Sequence, residues 1–255
     1  MIKVLSIAGS DPSGGAGIQT DLKTFQALGA HGMAIPAALT AQNSASVTGS
    51  YSIPPRELSQ QIDTLLSDIK PDAVKTGMLL TRQTVIAVAS AMRNYRIVNL
   101  VVDPVIRSSS GKTLLKRDAV RAMQKELFPL ARVITPNIPE AEVLTGMRIM
   151  TDEDMDFAAG TLMDMGPRYV LIKGGHGKGP AIDTLYGGKT VLSFSTERQE
   201  GEFHGTGCVL SSAIAVFIGK GLPVEKAVEK AKLFVEKMLK RTNRVGKGRA
   251  KYFQF

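Results

Sequence analysis

What most constrains this chain is an alternation of short apolar runs with helical patterns along its length. Strand-like runs cover residues 2–8, 33–39, 72–76, 97–103, 131–135, 168–173 and 182–186, the last followed by 189–194. Several, such as Val4-Leu5-Ser6-Ile7-Ala8 and Tyr169-Val170-Leu171-Ile172, are nearly all apolar, as strands covered on both faces of a parallel sheet must be. Between them Pro54-Pro55 introduces a helical segment to Ile69, Thr81 can cap a helix through Asn94, and Thr151 with Asp154 opens another through Met165. The clearest helix follows Pro223, where Val224, Ala227, Val228, Ala231, Phe234, Val235 and Met238 recur every three to four residues and charged residues fill the other face. Such alternation predicts an α/β fold, a doubly wound, mostly parallel sheet with helices on both faces. Gly187-Gly188 between two strand-like runs predicts an antiparallel hairpin. No internal repeat, low-complexity linker or break in composition divides residues 1–255, so one domain is expected.

With 44% hydrophobic and 22% charged residues in 255, the composition excludes collagen, coiled coil and wholesale disorder. No stretch approaches 18 uncharged apolar residues, so no membrane partner is expected. The opening residues soon reach Gly9 and Asp11 and do not read as a secretion signal, and a single cysteine cannot form an internal disulfide. A cytoplasmic protein is the simplest expectation. The net charge of +9 invites a nucleic-acid reading, but residues 240–251 hold six basic and no acidic residues, leaving only +3 elsewhere. A basic tail of this kind is expected to be a solvated terminus, with no nucleic acid as partner. The small excess on the body suits a nucleotide triphosphate.

Two glycine clusters carry the chemistry. The first strand ends in Gly9-Ser10-Asp11-Pro12-Ser13-Gly14-Gly15-Ala16-Gly17, with a helix expected from about Gly15. Gly9 and Gly14 fit a Walker A loop, but Gly15-Ala16 stand where Lys and Ser/Thr belong. Gly15 and Gly17 fit a dinucleotide fingerprint, but Thr20 replaces its third glycine and no acid lies near Thr40 to hold a ribose. What remains is a strand-to-helix turn that lets a ligand approach the backbone, with Asp21 a turn further on as a possible contact. The second cluster, His204-Gly205-Thr206-Gly207-Cys208, precedes an apolar run to Val216. Glycines opening a buried helix leave its first N–H groups bare and aimed at one point, which suits an anion. The same field is expected to favour the thiolate of Cys208. His31, His176 and His204 show no metal-ligand spacing with each other or with Cys208, and G-x-S-x-G is absent.

Asp103 ends one strand-like run, Asn137 and Glu140 follow another, and Lys173-Gly174-Gly175 ends a third. At the carboxyl ends of adjacent parallel strands these groups would share one crevice. Mg²⁺ takes one or two carboxylates together with water and phosphate, and a lysine beside a flexible turn suits a triphosphate.

The segments AGSDPSGGAGIQTDLKTF, ALTAQN, DAVKTGML, DPV, TPNIPEAEVLTG, VLIKGGH and HGTGC, in order from Leu5 to about Val235, resemble the hydroxymethylpyrimidine/phosphomethylpyrimidine kinases of thiamin biosynthesis. The resemblance implies a ribokinase-like fold without a separate lid domain, ATP and Mg²⁺ as cofactors, and a homodimer. It also implies two transfers: phosphorylation of the hydroxymethyl group of 4-amino-5-hydroxymethyl-2-methylpyrimidine, then of the monophosphate. Carried over by position, Gly9, Ala16, Asp21, Gln42 and Met78 would surround the pyrimidine, with Gln42 the main polar contact. Asp103 and Glu140 would organise Mg²⁺, while Asn137, Lys173, Gly174 and Gly175 would face the nucleotide phosphates. Gly205, Thr206 and Gly207 would form the anion hole, and Cys208 would be the base, where many relatives have Asp. The chain departs from the family's usual pattern after Asp103-Pro104-Val105, where Arg107 and Lys112 add charge that suits phosphate, at Asn43-Ser44-Ala45-Ser46-Val47, and before His204. A pyridoxal or related hydroxymethyl-heterocycle kinase, and a non-catalytic pyrimidine- or nucleotide-sensing protein, remain the alternatives.

Overall fold

The computed structural model describes residues 1–106, 114–174, 180–188 and 190–255. Its first half runs β1 (Lys3–Ser10), α1 (Gly17–Ala27), β2 (His31–Gln42), β3 (Val47–Ser52), α2 (Pro55–Leu66), β4 (Ala73–Thr76), α3 (Arg82–Asn94) and β5 (Leu100–Val102). The second half runs α4 (Arg117–Ala122), β6 (Val133–Ile134), α5 (Ile138–Thr145), α6 (Asp152–Met163), β7 (Val170–Lys173), β8 (Ala181–Gly187), β9 (Thr190–Thr196), α7 (Thr206–Gly219), α8 (Val224–Leu239), β10 (Thr242–Arg244) and β11 (Lys251–Phe253).

Nine strands form one sheet in the order β3-β2-β1-β4-β5-β6-β7-β8-β9. From β2 to β7 neighbours are parallel; β3 at one edge and β8 and β9 at the other are antiparallel. The period-two alternation of each strand sends residues to two cores. Leu5, Ile7, Leu100 and Val102 pack with Leu58 and Ile62 of α2, Val88 of α3 and Leu162 of α6. Val4, Val101 and Leu171 pack on the opposite face with Phe25 of α1, Ile214 of α7 and Val228 of α8. The expected doubly wound sheet, and the hairpin across Gly187-Gly188, are therefore present. Among the described residues no helix is long and apolar enough to cross a membrane.

β1 lies between β2 and β4, so the chain leaves it to one side of the sheet and later fills the other. Such a reversal opens a crevice beyond the carboxyl ends of the strands. Three expectations change here. The run at 97–103 yields only Leu100–Val102, because Arg96 turns the chain with φ 52° just before it. β3 has the sequence Val-Thr-Gly-Ser-Tyr-Ser, too polar to register as a strand because an edge position buries little of it. The basic tail is solvated in its charges but not a free end: Lys240, Arg241, Arg244, Lys247 and Arg249 are exposed, while β10 and β11 pair antiparallel and Tyr252 and Phe253 are buried. Counting charge over 240–251 overlooked Tyr252 and Phe253, which follow it directly.

Candidate active site

A cleft of about 860 Å³ opens where β1, β2, β4, β5 and β7 end, with α7 pointing its N-terminus into it. Gly9, Ala16, Gln42, Met78, Asp103, Asn137, Glu140, Lys173, Gly205, Thr206, Gly207 and Cys208 all line it. Residues up to 199 positions apart are thus brought together by the sheet order.

The glycine-rich loop is organised by Asp11, which is buried. Its Oδ1 accepts from the N–H of Ser13 at 2.9 Å and its hydroxyl at 2.7 Å, and its Oδ2 accepts from the N–H of Ala16 at 2.9 Å. His204 Nε2 lies 2.9 Å from the same Oδ2. Burial pushes Asp11 up, but hydrogen bonds from His204 and Ser13 outweigh it and hold the carboxyl below its ordinary value. Gly9 packs so closely on Met78 that a Cβ there would overlap the methionine methyl group.

The expected anion hole would begin at Gly205, whose φ of +83° and close approach to the Gly15 carbonyl leave no room for a side chain. Gly205 is the N-cap of α7, and no side chain caps the helix. The first intrahelical bond runs from the Val209 N–H to the Gly205 carbonyl, so the N–H groups of Thr206, Gly207 and Cys208 precede the helical ladder at the cleft. Two consecutive serines anchor this turn: Ser211 donates to Asp103 Oδ2 at 3.2 Å and Ser212 to Asp21 Oδ1 at 2.7 Å.

Facing α7 stands the acid–cation group. Lys173 Nζ is 3.0 Å from Asp103 Oδ1 and 4.0 Å from Glu140 Oε2. Burial would raise Asp103, but Lys173 and Lys75 beside it hold its carboxyl below the usual range. Glu140 closes a capping box at the start of α5, accepting the Asn137 N–H at 2.8 Å while Asn137 Oδ1 accepts the Glu140 N–H at 2.8 Å. Burial, reinforced by Asp103, pushes the Glu140 carboxyl up to about 7 in spite of Lys173. Among the described residues no three or more His, Cys, Asp and Glu side chains are grouped to hold a metal. Two carboxylates at the cleft, beside the uncapped N-terminus of α7, nevertheless fit Mg²⁺, whose other ligands are water and phosphate.

Three expectations are corrected. Asp21 does not reach the cleft: it is fully buried, and its oxygens are taken by Lys75 at 2.9 and 3.0 Å, by Ser6 and by Ser212. The Cys208 thiolate is not favoured. Burial pushes the thiol up to about 11, and Asp21 and Asp103 add to this, against the pull of Lys75 and the Gly17 N–H. Gly174 does not offer its N–H to a phosphate, because that group donates to Asp183 Oδ1 at 3.1 Å, and a Cβ there would overlap the Ile182 carbonyl. Gly175, Arg107 and Lys112 lie outside the described residues.

The sequence reading passed over Asp11, His204 and Lys75 as site residues. Lys75 carried a signal, since a lysine inside an apolar strand must find a buried partner.

Comparison with known proteins accords with this geometry. A family model described as phosphomethylpyrimidine kinase matches residues 11–252. The hydroxymethylpyrimidine/phosphomethylpyrimidine kinase of Rhizobium meliloti is 44% identical over 256 residues, 98% of this chain and 96% of that protein. The chain spans about half the length of another relative it matches, a bifunctional thiamine biosynthesis protein. The crystal structure of phosphomethylpyrimidine kinase from Clostridium difficile superposes with a TM-score of 0.84 at 40% identity, covering 93% of this chain and 99% of that one. The pyridoxal kinase of Staphylococcus aureus in complex with AMP-PCP and pyridoxal superposes with a TM-score of 0.89 at 34% identity, covering 99% and 93%. Sequence match, sheet order and site geometry agree: the chain belongs to the phosphomethylpyrimidine kinase family.

Proposed function

We propose that this chain transfers phosphoryl groups from MgATP to 4-amino-5-hydroxymethyl-2-methylpyrimidine and then to the resulting monophosphate. The observation that carries the reading is the uncapped N-terminus of α7, which shares one cleft with Gln42 and with the Asp103–Lys173–Glu140 group. Phosphoryl transfer asks mainly for positioning and for neutralisation of charge on the equatorial oxygens. Thr206 and Gly207 supply bare N–H donors for that charge, with Gly205 setting the turn, and Lys173 supplies a fixed cation. Burial acts against the charge of Lys173, but Asp103 and Glu140 hold the ammonium above its ordinary range and keep it charged. Asn137 joins Lys173 at the phosphates. Asp103 and Glu140 would hold Mg²⁺, which supplies charge neutralisation when bound.

Gly9, Ala16 and Met78 form the walls against which a flat ring lies, and Gln42 offers its amide to the ring edge. Cys208 is the group that takes the hydroxyl proton. Its raised pKa makes the thiolate scarce at neutral pH but a stronger base when formed. A cytoplasmic homodimer belongs to the same reading and is open to sedimentation analysis.

Pyridoxal is the second candidate acceptor, favoured by the 34% identity and TM-score of 0.89 to the Staphylococcus aureus pyridoxal kinase. An ADP-release assay with the hydroxymethylpyrimidine, its monophosphate and pyridoxal separates the readings. The pyrimidine is expected to give the largest kcat/KM; a preference for pyridoxal would reverse the assignment, and ADP release with none of them would overturn it.

A further inference from the structure

Gln42 and His204 meet at a junction where Asp11 sets the direction of the hydrogen bonds. Both oxygens of Asp11 accept from Ser13 and Ala16, so Asp11 is an acceptor throughout. His204 Nε2, 2.9 Å from Asp11 Oδ2, must therefore carry a proton and donate it. The same nitrogen lies 3.1 Å from one end of the Gln42 amide. An N–H can be met there only by the amide oxygen, which then shares the one Nε2 proton with Asp11 Oδ2. At the other end of the amide, Thr40 gives its single hydroxyl proton to the Ser10 carbonyl at 2.9 Å. Its oxygen, 3.3 Å from Gln42, keeps lone pairs that can accept from the amide NH₂.

With Gln42 Nε2 directed at His204, donor is set against donor, while Oε1 takes only a share of the Thr40 hydroxyl proton at 3.3 Å. Half a turn of the amide satisfies both contacts, and oxygen and nitrogen there differ only by assignment. The C-terminal hairpin holds the histidine in place. The His204 N–H donates to the Lys251 carbonyl at 3.0 Å, and the ring packs on Tyr252 at 5.3 Å between centroids. Tyr252 donates to Ser13 Oγ at 3.0 Å, whose own proton goes to Asp11. A Cβ at Gly15 would overlap both rings, so the glycine is what lets the hairpin close here.

We infer that His204 is a positioning residue that locks the Gln42 amide with its carbonyl toward His204 and its NH₂ toward Thr40, and thereby selects the hydrogen-bonding edge of the bound ring. The inference rests on the proposed function, in which Gln42 meets the pyrimidine edge. A 4-aminopyrimidine presents an amino donor beside a ring-nitrogen acceptor, and a 4-oxopyrimidine presents the reverse order. With the hydroxymethyl group aimed at α7, a locked amide matches one order only, whereas an amide free to turn matches either.

Calorimetric titration with 4-amino-5-hydroxymethyl-2-methylpyrimidine and with its 4-oxo analogue tests this. Wild type is expected to prefer the amino ring by about ten- to hundredfold, the cost of leaving buried polar groups unmatched. His204→Leu is expected to shrink the preference to within about threefold, with ATP affinity unchanged, and His204→Gln, which keeps a donor at similar reach, to restore it. An undiminished preference in folded His204→Leu would overturn the inference. Nitrogen-15 NMR of His204 in the wild type gives a test that needs no variant: a proton on Nε2 is expected, and a bare Nε2 would contradict the lock. Wild type that binds neither ring overturns the proposed function and this inference with it. Wild type that binds both rings equally overturns the inference alone.

Discussion

Two buried carboxylate–lysine pairs are tied to α7 by consecutive serines, Asp103 by Ser211 and Asp21 by Ser212, and they have different work. Asp21–Lys75 reaches the cleft floor only through Lys75; both side chains are fully buried, and Ser6 and Ser212 close the carboxylate. Asp103–Lys173 has nearly the same separation, 3.0 against 2.9 Å, yet Lys173 stays partly exposed at the cleft and has Glu140 as a second neighbour. The pair with every atom satisfied is scaffold. The pair with a cation still turned to the cleft is the one the proposed function uses. Residue type does not separate them; depth and the number of partners do.

The largest expected effect falls on the scaffold pair. Asp21→Ala leaves the Lys75 ammonium buried without its partner, and about 3–5 kcal/mol of stability should be lost in urea denaturation. A midpoint unchanged from wild type would erase the distinction. Lys173→Met should do the reverse: kcat/KM should fall by about 10²–10³ while the thermal midpoint moves little, as steady-state kinetics and calorimetry would show. Equal losses of stability from both substitutions would merge the two classes. Gly205→Ala should cost about 1–3 kcal/mol of stability through its left-handed backbone and weaken nucleotide binding by disturbing the α7 N-terminus, read by denaturation and ATP titration.

Two pH effects sharpen the comparison further. Both pairs influence Cys208: Lys75 lowers its pKa, while Asp21 and Asp103 raise it after burial. Because the base is the deprotonated form of a thiol pushed up to about 11, kcat/KM should climb with pH between 7 and 9, and Cys208→Ala should flatten the slope. A flat wild-type profile would remove Cys208 as base. Glu140, pushed up by burial to about 7 from an ordinary value of 4.5, favours the folded state when protonated. That contribution is complete below the ordinary value and is lost as pH rises through about 7. Glu140→Gln should therefore show a shallower fall in thermal midpoint between pH 5 and 8 than wild type. An unchanged slope would mean that Glu140 is not desolvated as described.

The parallel sheet was legible because strands covered on both faces are apolar throughout, as Leu100-Val101-Val102 and Val170-Leu171-Ile172 are. β3 was not, because an edge strand such as Val47–Ser52 needs no apolar run. Most of the cleft was legible for a different reason: glycines and acids at strand ends declare themselves wherever backbone must approach a ligand. Asp21 and Gly174 misled because their type suits a ligand equally well, and only their partners, Lys75 and Asp183, reveal the structural role. The Cys208 thiol misled because the helix field is visible in sequence, whereas burial and two neighbouring carboxylates are not. The C-terminal hairpin could not be read because it forms only against residues about 240 positions earlier, where Tyr252 meets Ser13.

Phosphorus-31 NMR of a reaction containing the protein, MgATP and 4-amino-5-hydroxymethyl-2-methylpyrimidine tests the central claim most directly. The expected result is a new phosphomonoester resonance followed by the resonances of a pyrophosphate ester, both absent with folded Lys173→Met. An unphosphorylated pyrimidine with the wild-type protein, or undiminished product with Lys173→Met, would contradict it.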